Sequence, residues 1–311
     1  MDRNARGTEK MTDAELSRKL GYYQRLASRC LAAGLIGGIG GIVSFFAVRD
    51  PALRAILAAV LFFGGLCCAI FLGGGARKKL KLLLQEQMGD FFQSELEQVF
   101  GPMLDDSELC IDKAFLQSLP LLEGRWEECF VEDNYTAVYR GLPFSAANVR
   151  LDHTYRRGNP REGYETCSDT VFLGLVLRCR TRIPTPSPIR GSARTDAEGS
   201  GVKTGNAAFD RRFCVTAEQE QDASCLLTPE FLQLIGTLER DAAGKLLGFL
   251  WDGEVFSLAM ETNYAFASIA SHVDLRDLDA ARRSYRNSLQ AMAELLDLLL
   301  TDTVLFAAQD Q

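Results

Sequence analysis

The sequence predicts an α+β protein: an N-terminal two-helix transmembrane hairpin followed by a cytoplasmic, mainly antiparallel sheet domain flanked by helices. Three observations predict this architecture. Two apolar runs without a charged residue, Cys30–Val48 and Ala55–Gly75, lie close together near the N-terminus. Short segments rich in aromatic and β-branched residues alternate with turn residues between Trp126 and Arg182. Apolar residues at helical spacing mark a last helix, Leu278–Leu300.

The two apolar runs have the length of membrane spans. A helix rises ~1.5 Å per residue, so about 20 residues cover the ~30 Å hydrocarbon core of a bilayer. Two alternatives to a membrane hairpin are a buried helical hairpin of a soluble protein and a cleaved signal peptide. The first is disfavoured because soluble core helices seldom stay uncharged all round over this length. The second is disfavoured because the first run follows a 29-residue polar segment and a second run comes almost at once.

The distribution of basic residues around the runs predicts their orientation. The short link between the runs carries only two basic residues, Arg49 and Arg54. The outer flanks carry eight: Arg18, Lys19, Arg25, Arg29, Arg77, Lys78, Lys79 and Lys81. Because basic flanks remain on the cytoplasmic side, we expect a multi-pass protein of the cell membrane with both termini in the cytoplasm.

The first apolar run is rich in glycine. Gly34 and Gly38, and likewise Gly37 and Gly41, are four residues apart and therefore form a small-residue strip on one helix face. Such a strip predicts close packing, either between the two helices of this chain or with another chain. Neither run contains an ionisable residue, which argues against an ion path and against a transporter made of this chain alone.

The predicted organisation has five parts. They are a cytoplasmic polar head (1–29), the transmembrane hairpin (30–75, with spans 30–48 and 55–75), a juxtamembrane helix (76–101), an α+β soluble domain (102–273) and a C-terminal helix and tail (274–311). Apolar residues close to a 3.6 period predict the juxtamembrane helix, which Gly101-Pro102 ends. This helix either packs on the soluble domain or forms a coiled-coil stalk that dimerises.

Within the soluble domain, helices and strands are expected in a definite order. The expected strands are Trp126–Val131, Tyr135–Tyr139, Ala147–His153, Asp169–Arg182, Lys245–Trp251 and Glu254–Met260. The last two form a hairpin about Asp252-Gly253, a strong turn signal. The expected helices are Asp112–Ser118, Thr216–Cys225 and Pro229–Glu239. Prolines, glycines and polar residues predict a mobile loop over 183–206.

Composition excludes some partners and cofactors. Residues 106–311 carry 21 Lys+Arg against 31 Asp+Glu, so the soluble part lacks the basic footprint that nucleic acid requires. The expected partners are the lipid bilayer and an unidentified protein, or a second copy that associates through the glycine-rich span or the juxtamembrane helix. Nine cysteines occur without a C-x-x-C pair, which favours reduced thiols over a disulfide framework or a zinc site.

Several short motifs resemble those of a known family. They are Phe172-Leu173-Gly174-Leu175 (F-x-G-L), Phe209–Val215 (F-x-x-x-F-x-V) and Leu227–Phe231 (L-T-P-x-F), in that order. In this order and spacing the chain is similar to a bacterial family of two-pass membrane proteins that carry a cytoplasmic domain of unknown function. The resemblance covers about residues 80–300 together with the two-span start. It implies a membrane-anchored α+β domain, but no reaction, cofactor or catalytic residue.

No catalytic, cofactor-binding or metal site is predicted. His153 and His272 are the two histidines, and both are interpreted as surface residues. The run Gly199–Gly205 has the wrong spacing for a phosphate-binding loop. We therefore expect a non-enzymatic module for protein interaction, or for scaffolding or sensing at the cell envelope. The alternatives are a membrane-tethered hydrolase or transferase with an unrecognised site, and an accessory subunit of a transport complex.

Overall fold

The computed structural model describes residues 11–47, 50–119, 126–159, 163–193, 201–241, 244–262 and 265–306. Contacts divide the chain into two compact units. Unit 1 comprises Met1–Ser94 and Ser271–Ser284, and unit 2 comprises Glu95–Ala270 and Tyr285–Gln311.

The bounds of the elements are as follows. The helices are α1 (Asp13–Ala47), α2 (Pro51–Cys67), α3 (Gly74–Phe100), α4 (Lys113–Ser118), α5 (Ala207–Arg212), α6 (Glu220–Leu226), α7 (Pro229–Asp241) and α8 (Leu278–Leu299). A π-helical turn, Cys68–Gly73, joins α2 to α3. The strands are β1 (Glu128–Tyr139), β2 (Leu142–Asn159), β3 (Gly163–Arg180), β4 (Ile189–Ala193), β5 (Phe213–Ala217), β6 (Gly244–Asp252) and β7 (Val255–Thr262).

In unit 1, helices α1 and α2 pack closely through glycine. A Cβ atom at Gly37 would lie 2.6 Å from the carbonyl oxygen of Leu61, and one at Gly41 would lie 3.2 Å from that of Ala58. A larger side chain at these positions would push the helices apart. The glycine face is therefore used for packing between the two helices of this chain, whereas the Cβ position of Gly38 has no atom within 4 Å.

The same antiparallel packing continues to the ends of the apolar runs and past them. A Cβ atom at Gly73 would lie 3.2 Å from that of Cys30. Further along, the backbone N–H of Met11 donates to Oε1 of Gln87 over 3.0 Å. By length and composition, the helices Asp13–Phe46 and Pro51–Phe100 are apolar enough to cross a membrane.

The segment Ser271–Ser284 packs on α1 within unit 1. Nε2 of Gln24 donates to the carbonyl oxygen of Val273 over 2.6 Å, and Oε1 of Gln24 accepts from the N–H of Leu275 over 2.9 Å. Nearby, Arg282 donates to the carboxylate of Asp13 over 3.1 Å. A residue from the N-terminal helix thus satisfies the backbone of a segment about 250 positions away.

Unit 2 is built on one antiparallel sheet of seven strands in the order β1-β2-β3-β7-β6-β4-β5. This confirms the predicted α+β class with a mainly antiparallel sheet. Strands β2 and β3 have 18 residues each, and their pairing runs from Phe144 opposite Cys179 to Asn159 opposite Gly163. Because the pairing of β3 with β7 begins only at Gly174, the β2–β3 hairpin extends well past the rest of the sheet.

Both faces of the sheet are covered. On one face, Val149, Leu151, Phe172 and Val176 pack with Ile111, Leu116 and Leu119, which lie in and around α4. On the other face lies an aromatic cluster whose members are all fully buried: Phe231, Phe249, Trp251, Phe256 and Phe306. Burial of each such side chain stabilises the fold by roughly 1.5–3 kcal/mol, so these two layers supply much of the stability of unit 2.

The motif glycine Gly174 is required by a close approach of two backbones. A Cβ atom there would lie 1.9 Å from the carbonyl oxygen of Met260 on β7. Gly191 on β4 has a similar constraint, because its Cβ position lies 2.2 Å from the ring of Phe249. Only glycine fits at either place without a shift of the sheet.

The two other motifs also form the core. The ring centroids of Phe209 and Phe213 lie 5.0 Å apart, and each lies 6.4 Å from that of Phe249. Thr228 caps α7, with its Oγ1 accepting the N–H of Phe231 over 3.2 Å. Phe231 then enters the aromatic cluster. The residues that carry the family resemblance are therefore packing residues.

Some sequence-based expectations were wrong in detail. The segment 183–206, expected to be a mobile loop, contains strand β4, which pairs with β5 and β6. Tertiary pairing overrides the loop-like composition there, and residues 194–200 lie outside the described residues. The expected turn at Glu132–Asn134 is a bulge within the single strand β1, where Asp133 adopts a φ of 52°.

Candidate functional site

The two histidines lie in different units. His272, in unit 1, is exposed. His153, in unit 2, follows the register shift between β2 and β3 at Leu151/Asp152, and its Nδ1 lies 3.2 Å from the Glu127 carboxylate. The same carboxylate accepts the backbone N–H of Thr154 over 2.7 Å, and this bond and His153 together lower the pKa of Glu127. Glu127 thus anchors the start of β1 to β2.

Several chemically versatile side chains line one face of the protruding hairpin. His153 stacks on Tyr155 with ring centroids 5.7 Å apart. Across the strand pair, His153 is opposite Asp169 and Tyr155 is opposite Cys167. A hydrogen bond to Asp169 raises the pKa of Tyr155. The register therefore places the imidazole beside a carboxylate, whereas the thiol faces the phenol instead of the imidazole.

Asp152 is buried on the opposite face and has a structural role. Its carboxylate accepts the hydroxyl of Thr170 over 2.8 Å and lies 3.3 Å from Nε of Arg150. Because neighbouring strand residues point to opposite faces, Asp152 does not orient His153.

A shallow depression of about 160 Å³ lies on the Asp152 face. Its main side chains form a row across three strands, since Phe130 pairs with Arg150 and Arg150 with Leu173. The Arg150 guanidinium sits 4.3 Å from the centroid of the Phe130 ring. The exposed fractions of Phe130 and Leu173, 40% and 59%, are large for apolar side chains in a sheet.

The two outer strands of the sheet, β1 and β5, each accept a backbone hydrogen bond from a neighbouring segment. The N–H of Leu104 donates to the carbonyl oxygen of Thr136 on β1 over 2.8 Å. The N–H of Val202 donates to Val215 on β5, also over 2.8 Å. By contrast, residues 164–171 of β3, here called the distal edge, pair with β2 on one side and are exposed throughout except for the half-buried Cys167.

The described part of the glycine-rich run Gly199–Gly205 packs against strand β5. A Cβ atom at Gly201 would lie 2.5 Å from the carbonyl oxygen of Val215. Together with the bond from Val202, this packs the segment against β5. Gly199 and Ser200 lie outside the described residues.

At the far end of β3, Arg180 holds an acidic cluster together. Its guanidinium lies 2.9 Å from Asp106, 2.8 Å from Glu108 and 3.8 Å from Glu254. Burial opposes ionisation of Asp106, but hydrogen bonds from Arg180 and from backbone N–H groups outweigh burial and lower the pKa of Asp106. The described residues contain no group of three His, Cys, Asp or Glu side chains placed to hold a metal ion.

The nine cysteines are free thiols. Cys179 and Cys214 are buried in the sheet, and burial raises the pKa of the Cys179 thiol far above its usual value. Cys110 and Cys225 are exposed on unit 2. The buried thiols behave as small apolar side chains, and only the exposed ones are available to reagents.

Comparisons with known proteins give little information about function. No family model matches the chain, and no curated protein matches it. Among solved structures, it matches the crystal structure of the mycobacterial trehalose monomycolate transport factor A at 11% sequence identity. That match covers 68% of this chain and 95% of the other, with a TM-score of 0.29. A score this low does not carry an argument about function.

Sequence reasoning missed the distal edge for an identifiable reason. The hairpin residues between His153 and Asp169 are mostly polar, so they lack the apolar alternation by which a half-buried strand is recognised. A signal was present nonetheless. Thr154, Tyr155 and Tyr164 are residue types with high strand propensity, and they flank Gly158-Asn159-Pro160, residue types that are common in turns.

Proposed function

We propose that the chain is a two-pass membrane protein of the bacterial family it resembles. The observation that carries this proposal is the outward direction of the large apolar side chains in unit 1. Ile36, Phe46 and Phe71 are 70%, 81% and 74% exposed, while glycines occupy the packed face. Soluble proteins rarely expose an apolar patch larger than a few hundred Å², whereas hydrocarbon is a matching solvent for such a surface.

We further propose that both termini and unit 2 are cytoplasmic. The support is the excess of basic residues on the outer flanks of the hairpin over the two in its link. The acidic balance of residues 106–311 fits a domain that stands away from an anionic leaflet.

In this proposal unit 2 is a non-enzymatic module that binds another protein, for scaffolding or sensing at the envelope. The feature that supports binding is the exposed distal edge of β3 beside the exposed Phe130–Leu173 row. Exposed sheet edges and apolar patches are surfaces that proteins use for recognition.

One observation favours an enzymatic alternative, a membrane-tethered hydrolase or transferase. His153, Tyr155, Cys167 and Asp169 share one face of the hairpin. A thiol-directed probe separates the two roles. Labelling of Cys167 that is fast in the folded protein, and lost on heating or in the His153→Ala variant, would support catalysis. Labelling no faster than that of an ordinary exposed thiol supports the binding role.

Two experiments test the proposal. Alkaline carbonate washing of membranes should leave the intact chain in the pellet, and its release would refute membrane insertion. Crosslinking in intact cells should then recover a protein partner that a chain ending at Ser94 does not recover. Recovery of the same proteins with both chains would argue against an interaction role for unit 2.

A further inference from the structure

The distal edge of β3 is long enough to accept a further strand. Among the described residues, the pairing of β3 with β7 covers Gly174 to Arg180, and the part of β3 before Gly174 is held in an extended conformation by β2. Side chains from Tyr164 to Val171 are exposed except for the half-buried Cys167, with Tyr164 at 61% and Val171 at 44%. Proteins usually cover, shorten or charge such edges, because unpaired N–H and C=O groups are a template for an incoming strand.

We propose that this edge binds an extended segment of a partner protein by strand addition, and that the segment carries basic side chains. This inference rests on the proposed role of unit 2 in protein interaction. In strand addition, backbone hydrogen bonds give affinity, and the side chains on the two faces give specificity.

Charge on the edge selects the partner. Glu165 and Asp169 lie on one face of β3, four residues apart, while Thr166, Ser168 and Thr170 alternate with them on the other. An added strand places its own side chains beside these, and opposite charges across a strand pair are favourable. The matching segment therefore has Lys or Arg at two positions four residues apart and β-branched or hydroxyl residues between them.

The same charges disfavour one register of pairing with a second copy of this chain. Antiparallel self-pairing centred on Cys167 would place Glu165 opposite Asp169. Like charges directly opposite each other are destabilising. On β2, Arg157 lies opposite Glu165 and His153 lies opposite Asp169, so an added strand would meet the two carboxylates from the other side of β3.

The test uses the full chain in detergent micelles and two synthetic peptides of about ten residues, the length of a β-strand of this size. Both peptides contain Thr and Val and differ at two positions four residues apart, which are Lys in one and Glu in the other. Fluorescence anisotropy at low salt should show about tenfold tighter binding of the Lys peptide, a difference of about 1.4 kcal/mol. Equal affinity for the two peptides would overturn the proposal.

Variants locate the site. The double substitution Glu165→Lys with Asp169→Lys should invert the preference between the peptides. A matched control, Asp105→Lys with Glu294→Lys, changes the net charge equally at exposed positions elsewhere on unit 2 and should keep the preference for the Lys peptide. Loss of preference in both variants would indicate non-specific charge attraction and would overturn the assignment.

Hydrogen exchange on the unmodified chain gives a readout independent of any variant. The Lys peptide should slow exchange of backbone amides within 164–171, because strand addition bonds the outward-facing groups. Protection elsewhere with none in this range would refute the site. If the double variant is still crosslinked to the same partners in cells, the interaction role of unit 2 survives while the assignment of the edge as the binding site fails.

Discussion

Replacement of Gly174 by alanine tests how β3 meets β7 and why a glycine stands in the F-x-G-L motif. The added Cβ would lie 1.9 Å from the carbonyl oxygen and 2.8 Å from the carbonyl carbon of Met260, and 2.9 Å from Cα of Glu261. Real Cβ atoms essentially never approach heavy atoms closer than 3.0 Å, so the strands must separate by about 1 Å. The atoms in the way belong to the backbone, which cannot rotate aside as a side chain can.

The expected cost follows from two terms. Overpacking of a well-packed interior costs about 1–3 kcal/mol, and each backbone hydrogen bond lost at the start of the β3–β7 pairing adds about 0.5–1.5 kcal/mol. We therefore expect Gly174→Ala to lower the free energy of unfolding of unit 2 by about 2–4 kcal/mol. With a urea dependence of about 2 kcal/mol per molar, the midpoint should fall by about 1–2 M.

The assay is urea unfolding of the full chain in detergent, followed by tryptophan fluorescence. Both tryptophans, Trp126 and Trp251, lie in unit 2, so the signal reports on that unit. The matched control is Gly236→Ala in α7, where no atom lies within 4 Å of the Cβ position. That change should stabilise the helix by about 0.5–1 kcal/mol. An unchanged midpoint for Gly174→Ala would refute the backbone approach described above.

Three further changes have expected outcomes. Phe231→Ala should cost about 3–5 kcal/mol by opening a cavity in the aromatic cluster, measured as a fall in the urea midpoint. Asp106→Asn should cost about 1.5–3 kcal/mol at neutral pH; because Arg180 and backbone donors lower the pKa of Asp106, its contribution is present above about pH 4 and is lost as pH falls through the folded-state pKa. The variant should therefore show a weaker loss of stability on acidification than the parent, and an identical acid profile would contradict the role of this ion pair. Gly37→Val should separate α1 from α2, seen as reduced crosslinking between engineered cysteines on the two helices, whereas Gly38→Val, at an open position, should leave it unchanged.

The class of the fold could be predicted because its strongest signals are local. The two apolar runs, the Asp252-Gly253 hairpin and the start of α7 at Pro229 each depend on short-range chemistry, and each is found at the predicted place. The glycine strip predicted close packing, although only the structure shows that Gly37 rather than Gly38 meets the second helix.

Features set by distant pairing could not be predicted. Strand β4 is short and preceded by prolines, so its place between β5 and β6 depends on partners that follow it in sequence. The length of the β2–β3 hairpin was missed because its protruding part is polar on both faces. The bond from Glu127 to Thr154 joins residues 27 apart, and no spacing rule links them.

The distal edge could not be predicted as a binding surface for the same reason. Its chemistry is visible in the sequence as Glu165 and Asp169, but their exposure beside the β2–β3 pair depends on how far along β3 the described pairing with β7 extends. The motifs that did stand out in the sequence, by contrast, proved to be packing residues. Prominent motifs therefore marked the core, and the surface most suited to binding carried none.

The central claim is that two helices cross the membrane and leave unit 2 in the cytoplasm. Labelling with a membrane-impermeant maleimide in intact cells tests it most directly, because Cys110 and Cys225 are exposed on unit 2 and the link 49–54 contains no cysteine. We predict that both thiols react only after the cells are permeabilised, whereas an Ala52→Cys variant reacts in intact cells. Labelling of Cys110 or Cys225 in intact cells would contradict the account.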